Sequence, residues 1–181
     1  MNVLILNPPF LKKFSRPQRS PAVTKSGTLY FPIWLAYSAG VLEEAGHQIT
    51  FIDAPARNLD LNEIVHRVGN LSPELIVMDT STPSIRHDMD VARAIKRIVP
   101  DAFITMVGTH VSALPEETLK ECPSVDALAR REYEYTVRDL ASALDGHPDQ
   151  ISREDLLKRV DGLSFRSGKK NIHNPDRTPI S

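Results

Sequence analysis

The stretch Phe103-Ile-Thr-Met-Val-Gly-Thr-His-Val-Ser-Ala113 carries the residue types best suited to receiving a ligand. Its apolar first half suits a strand, Gly108 ends the run, and Pro115 in Leu114-Pro-Glu-Glu117 can open a helix. In an open parallel sheet, ligands sit at the loops leaving the carboxyl ends of strands. A glycine there lets a flat or phosphate-bearing molecule approach the backbone. His110 projects from the same loop. A second loop of this kind, Asp79-Thr-Ser-Thr-Pro-Ser84, offers five hydroxyl or carboxylate side chains in six residues, and also a cap for the helix that follows. A third turn, Asn7-Pro8-Pro9, ends the first apolar run by withdrawing two backbone donors.

Missing patterns narrow the chemistry further. No G-x-G-x-x-G follows the first strand, and neither a P-loop nor a G-x-S-x-G elbow occurs. A phospho-receiver needs clustered acids after strand one to hold magnesium, yet Asn7-Pro8-Pro9 stands there and leaves Asp79 alone. The single cysteine, Cys122, excludes an internal disulfide and cannot by itself hold zinc or an iron–sulfur cluster. These absences point to a large, flat, non-covalently held ligand; no catalytic residue and no metal ligand is assigned.

The elements that must position these turns follow in order. Asn2–Leu6 is a continuous apolar run, as a strand covered on both faces would be. The segment from Phe10 to Tyr30, with Lys12, Lys13, Arg16, Arg19 and Lys25 among prolines and serines, reads as a long basic mobile loop. Ile33 to Ala45 has helical spacing, with Gly40 allowing close packing on the sheet and Gly46 as its stop. His47 to Asp53 is the second strand, Asp60 to Val68 a helix with Asp60 or Asn58 as its cap, Glu74 to Met78 the third strand, Ile85 to Val99 a helix, and Ala102 to Val107 the fourth strand. Ser124 to Ala129 is a weaker fifth strand before a helix ending at Leu144. Residues 160–173 read as a small hairpin turning at Ser167-Gly168.

Strands alternating with helices require right-handed crossovers. The expected fold is therefore α/β, a flavodoxin-like, doubly wound, five-stranded parallel sheet of order 2-1-3-4-5 with a small C-terminal β-hairpin extension. Its switch point lies between strands one and three, so the three polar turns border one crevice. Residues 1–148 form the expected domain and 149–181 a connector.

Composition bounds the partners. The chain has 181 residues, a formal net charge of −1 and a pI near 6.6, so bulk electrostatics favour neither nucleic acid nor an anionic membrane. No apolar run is long enough to span a bilayer, and Met1–Leu6 is too short and lacks the charged flank of a signal peptide, so a cytoplasmic protein is expected.

Taken in order, Asn7-Pro8-Pro9, Phe31-Pro-Ile-Trp-Leu-Ala-Tyr-Ser-Ala-Gly-Val-Leu-Glu-Glu-Ala-Gly-His47, Val107-Gly-Thr-His110 with Leu114-Pro-Glu-Glu117, Val125-Asp126 and Glu132-x-Glu134 resemble the N-terminal cobalamin-binding domain of B12-dependent radical SAM enzymes. Asp161-Gly-Leu-Ser-Phe-Arg166 and Asn174-Pro-Asp-Arg-Thr-Pro179 resemble the connector that precedes the radical domain in those proteins. The resemblance implies a corrinoid (cobalamin) held by Asn7, Pro8, Pro9, Thr80, Ser81, Thr82, Pro83, Ser84, Gly108, Thr109, His110, Val111 and Ser112, with Glu132 and Glu134 near the crevice. It also implies that S-adenosylmethionine and a [4Fe-4S] cluster belong to a C-terminal radical SAM domain absent from this chain, and that methyl transfer or radical rearrangement is the chemistry of the intact protein. A second reading is a degenerate flavodoxin-like docking module. Val107, Arg131 and Tyr133 would then fill the crevice, whereas an open crevice above Gly108 would favour the corrinoid.

Overall fold

A computed structural model describes residues 1–16, 22–23, 26–146 and 151–179. Arg19, Lys25, His147 and the expected boundary at 148/149 lie outside the described residues.

Five parallel strands form the centre: β1 (Asn2–Asn7), β4 (Gln48–Asp53), β5 (Leu75–Thr80), β6 (Phe103–Gly108) and β7 (Ala127–Ala129). Their order, β4-β1-β5-β6-β7, is the expected 2-1-3-4-5 arrangement. The unbroken apolar run of β1 is explained by its two faces. Leu4 and Leu6 point to one side, with Ile76, Met78, Ile104 and Met106, under the helices α2 (Leu61–Leu71) and α3 (Ile85–Ile98). Val3 and Ile5 point to the other, with Leu75, Val77 and Val107, under α1 (Ile33–Glu44) and α6 (Glu134–Asp145). All of these strand side chains are buried, which is the main favourable term for a sheet sandwiched between helices.

The fifth strand is only three residues long, shorter than its sequence suggested, and it is not an edge. The hairpin of β8 (Leu163–Ser167) and β9 (Lys170–His173) joins it antiparallel, pairing Ala127 with Phe165 and Ala129 with Leu163, so one seven-stranded sheet results. The buried Arg130 guanidinium fastens this extension by donating to the Leu163 carbonyl, the Ser164 hydroxyl, the Asn174 carbonyl and Asp176. Asn174 in turn donates to the carbonyls of Leu157 and Val160 at 2.7 and 2.8 Å, tying down the last turn before the hairpin.

Local expectations divide. Of the two caps the sequence offered, Asp60 is the one used, and it forms a full capping box with Glu63. Gly40, by contrast, is exposed, and a Cβ there would meet nothing within 4 Å, so it does not serve close packing. The basic segment is not all solvated loop: Phe14–Ser15 (β2) pairs antiparallel with Ala22–Val23 (β3), and Arg16 is buried. Helix α1 is apolar on more than its core side. Leu35, Ser38 and Leu42 are buried, while Ile33, Trp34 and Tyr37, with Tyr30 and Phe31 just before them, stay exposed.

Candidate functional site

Because β1, β5 and β6 are adjacent and parallel, the turns after Asn7, Thr80 and Gly108 lie side by side at one rim. Register sharpens this, since Thr80 pairs with Gly108 and Asp79 with Val107. The turn after β6 is itself helical, however: Thr109–Ala113 forms a short helix, α4, that runs through Leu114 into α5 (Pro115–Glu121). Gly108 has φ +114, and a Cβ on it would stand 2.2 Å from the Thr80 carbonyl oxygen. Its missing side chain therefore makes room for the neighbouring strand, a constraint that holds before any ligand arrives.

The Thr80–Ser84 loop is more inward than its composition suggested. Thr80, Ser81 and Ser84 are buried, and only Thr82 and Pro83 are exposed. Ser84 occupies the N-cap position of α3, but its side chain makes no cap bond. Instead its hydroxyl donates to Asp88 at 2.6 Å and sits 2.8 Å from the Ser81 hydroxyl. Thr80 donates to the other side of this arrangement, reaching Asp88 at 2.7 Å. Above them, the His110 ring nitrogen Nδ1 lies 3.3 Å from the Thr82 hydroxyl, bridging the β5 and β6 turns. Burial holds His110 below its ordinary 6.5, so the ring is mainly neutral near pH 7. Ser112 is turned inward, donating to the Gly108 carbonyl and accepting from the Arg131 N–H.

Asn7, Pro8 and Pro9 are buried beneath a side chain the sequence did not single out. Arg16 donates to the Asn7 side-chain oxygen at 3.0 Å, the Pro8 carbonyl at 2.6 Å, the Pro9 carbonyl at 3.5 Å, the Ser84 hydroxyl at 3.2 Å and Asp88 at 2.5 Å. Nothing in the spacing of the basic segment separates Arg16 from Lys12 or Lys13, both of which are exposed. Val107 and Tyr133, which were to fill the crevice in the docking-module reading, belong instead to the core beneath α1 and α6. Arg131 is exposed and paired with Asp176. Val111 is buried in the opposite core, Thr109 and Glu132 are exposed, and Glu134 is buried in the first turn of α6.

Burial raises four acids at this rim, Asp53, Asp79, Asp88 and Glu134. Asp79 is pushed up to about 7 by burial, opposed by Arg16 and reinforced by the Asp88 carboxylate. Burial also raises Glu134, whose Oε2 has no hydrogen-bond partner among the described residues. An acid raised in the fold costs nothing while both states are protonated, below about pH 4. As pH climbs toward 7 its ionisation progressively weakens the fold. Asp79→Asn should therefore match the parent at pH ~4 and exceed it by about 2–4 kcal/mol at pH ~8, at roughly 1.4 kcal/mol per pH unit reduced for solvent at the rim. Thermal unfolding at the two pH values checks this, with a midpoint gap of roughly 5–10 °C expected only at the higher one.

One further constellation imitates catalysis. Ser164, His173 and Glu116 are linked by contacts of 2.8 and 3.0 Å in the manner of a hydrolase triad. Ser164 is fully buried and its hydroxyl accepts from Arg130, so it has neither access to a substrate nor a free lone pair directed at one. The cluster fastens the hairpin. Two surface clefts, of about 360 and 530 Å³, lie at the opposite rim, around Asn2–Leu4, Gln48–Thr50 and Pro73, and around Met1, Ser72–Glu74 and Pro100–Phe103. Neither contains the residues gathered above.

Comparison with known families places the chain that carries this rim. A family model described as the B12 binding domain matches residues 19–141. The chain belongs to the B12-binding domain family. Cobalamin is thus the ligand of this domain class, and the doubly wound sheet is its scaffold. Relatives extend the picture: the domain is 32% identical over 164 residues to an uncharacterized methyltransferase of Pyrococcus horikoshii, covering 91% of this chain and 34% of that protein. It is 30% identical over 151 residues to an anaerobic magnesium-protoporphyrin IX monomethyl ester cyclase of Rubrivivax gelatinosus, covering 82% of this chain and 26% of that one. Among solved structures it shares the fold of the cobalamin-dependent S-adenosylmethionine radical enzyme OxsB with aqua-cobalamin and S-adenosylmethionine bound. The TM-score is 0.63 and the identity 21%, over 79% of this chain and 20% of that one. The chain spans about a third or less of the length of these relatives.

The rim of this B12-binding domain suits a corrinoid on one structural count in particular. A corrin ring is fringed with amide side chains, and the buried, unpartnered Glu134 Oε2 is an acceptor that an amide N–H would satisfy. Left without a donor, that one oxygen carries a desolvation penalty that such a contact removes.

Proposed function

We propose that this domain holds cobalamin across the rim formed by the β5 and β6 turns, as the corrinoid-presenting part of a radical SAM enzyme. The observation that carries the reading is the adjacency of Thr82, Pro83, Thr109 and His110 on two neighbouring turns, all at the surface or half-buried, with the Thr80–Gly108 pairing holding the turns in contact. Thr82 and His110 orient the ring edge through hydrogen bonds, Glu134 accepts from an amide of its fringe, and the buried Asp88–Ser84–Thr80 arrangement keeps the β5 turn rigid beneath it. Bound cobalamin supplies the cobalt-centred methyl-transfer or radical chemistry, with the protein providing position and electrostatics. No residue of this chain acts on substrate in this reading.

The partner is a radical SAM domain of the same enzyme, a reading supported by the description of OxsB as a cobalamin-dependent S-adenosylmethionine radical enzyme and by the greater lengths of the relatives. The apolar surface of Tyr30, Phe31, Ile33, Trp34 and Tyr37 supports a docked neighbour, because so many large apolar side chains on one short stretch are otherwise unfavourable in water. Among the described residues no helix is long and apolar enough to cross a membrane.

Hydroxocobalamin titration followed by its visible spectrum tests the cofactor site. Saturable one-to-one binding is expected, and His110→Ala should weaken it about tenfold, the effect of one lost hydrogen bond of roughly 1.4 kcal/mol. A folded domain with no saturable spectral change overturns the assignment.

A further inference from the structure

The half of the crevice between β1 and β5 is closed by the chain itself. After Pro9, a turn closed by the Phe14 N–H on the Leu11 carbonyl at 3.1 Å, with Lys13 in the left-handed region at φ +61, reverses the backbone. This returns Phe14–Arg16 over the strand ends they have just left. All five N–H groups of the Arg16 guanidinium find acceptors, and every one of those acceptors belongs to the rim: Asn7, Pro8, Pro9, Ser84 and Asp88. Phe10 and Phe14 flank the guanidinium, their ring centroids 5.9 and 5.6 Å from its central carbon and 4.7 Å from each other in an edge-to-face contact. Leu11, Lys12 and Lys13 at the tip are exposed. Arg16 is the side chain that ties the strap to the rim, while Phe14 and Ser15 are buried beside it, Ser15 accepting from the Tyr30 N–H at 3.0 Å and β2 pairing with β3.

This switch-point position is where an open α/β sheet admits a ligand. Four of the groups that would meet one there, on Asn7, Pro8, Pro9 and Ser84, are already satisfied by Arg16, and Thr80 is committed to Asp88. Resting on the corrinoid reading above, we propose that Arg16 is an internal competitor. The Phe10–Arg16 strap closes the β1–β5 crevice of the free domain, and the nucleotide tail of cobalamin enters only as Arg16 leaves Asp88. The flat ring needs only the β5 and β6 turns. Arg16 consequently determines selectivity between corrinoids with and without a tail, disfavouring the tailed form by the strength of its own contacts.

The test compares hydroxocobalamin with diaquacobinamide, which has the same ring and lacks the nucleotide tail, on the parent and on the Arg16→Met variant, which leaves Asp88 accepting from Thr80 and Ser84. The variant should bind hydroxocobalamin about tenfold or more tightly than the parent while its cobinamide affinity moves less than about twofold. In the unaltered protein, amide hydrogen exchange across Phe10–Arg16 should rise on adding hydroxocobalamin and stay unchanged with cobinamide, a readout independent of whether the variant folds well. Equal or weaker cobalamin binding by a folded variant, or a strap that stays protected with cobalamin bound, overturns the competition while leaving the corrinoid site in place. Failure of both corrinoids to bind the parent removes the corrinoid reading itself, and the strap proposal with it.

Discussion

Asp88→Ala lowers the stability of the domain by about 3–5 kcal/mol, the usual consequence of breaking a buried ion pair from one side. The side chains of Arg16 and Asp88 are 1% and 0% exposed, so the guanidinium left behind has no solvent to turn to. The Thr80 and Ser84 hydroxyls lose their acceptor in the same step. Burial raises Asp88 while Arg16, Ser84 and Thr80 oppose the rise, so the carboxylate is poised between desolvation and its partners, and no single neighbour carries the site. This distinguishes removal of one charge from removal of both. Arg16→Met/Asp88→Asn takes the pair out of a dry environment together and should recover most of the loss, leaving a folded domain. Urea unfolding followed by far-ultraviolet circular dichroism reads both effects. An Asp88→Ala protein within about 1 kcal/mol of the parent would mean that Arg16 is not fixed as the structure has it.

How much of this was legible in the sequence depends on the length scale of the signal. The sheet order followed from alternation of strand and helix patterns, because an all-parallel sheet buried on both faces leaves continuous apolar runs such as Val3–Leu6 and Leu75–Met78. That order alone places three turns at one rim, so the neighbourhood of the site was readable without any motif. The interior of the neighbourhood was not. A run of hydroxyl residues such as Thr80–Ser84 states a capacity for hydrogen bonding but no direction, and here most of that capacity turns inward to Asp88. Asp88 itself sits in a helix of strongly amphipathic pattern, where an acid in the first turn reads as a favourable dipole contact. Its burial is decided by Arg16, which arrives from 72 residues away in the chain. Long-range pairing of that kind leaves no trace in local periodicity, and the basic segment around Arg16 looks solvated for the same reason.

Gly108 shows the complementary failure, a residue noticed for the wrong cause. Glycine after a strand suggested backbone held open for a ligand, whereas φ +114 and ψ −175 place Gly108 in a region that only glycine occupies readily. A Cβ would also stand 2.2 Å from the Thr80 carbonyl oxygen and 3.2 Å from an Asp79 side-chain oxygen. Neither obstacle is the yielding tip of a long side chain, so Gly108→Ala must either push β5 and β6 apart at the rim or refold the start of α4. The expected cost is about 3 kcal/mol or more, backbone strain and steric overlap together. Gly168→Ala is the matched control: Gly168 also has a positive φ, +57, but a Cβ there meets nothing within 4 Å, so it should cost only about 1 kcal/mol. Because Thr82 and His110 are carried on the two turns that Gly108 lets approach, its substitution should also weaken hydroxocobalamin binding well beyond tenfold, while Gly168→Ala leaves binding intact. Unfolding midpoints and titrations of the two variants side by side check the argument. If Gly108→Ala proved as mild as Gly168→Ala in both, the contact between the Thr80 carbonyl and Gly108 would not be what brings the two halves of the rim together.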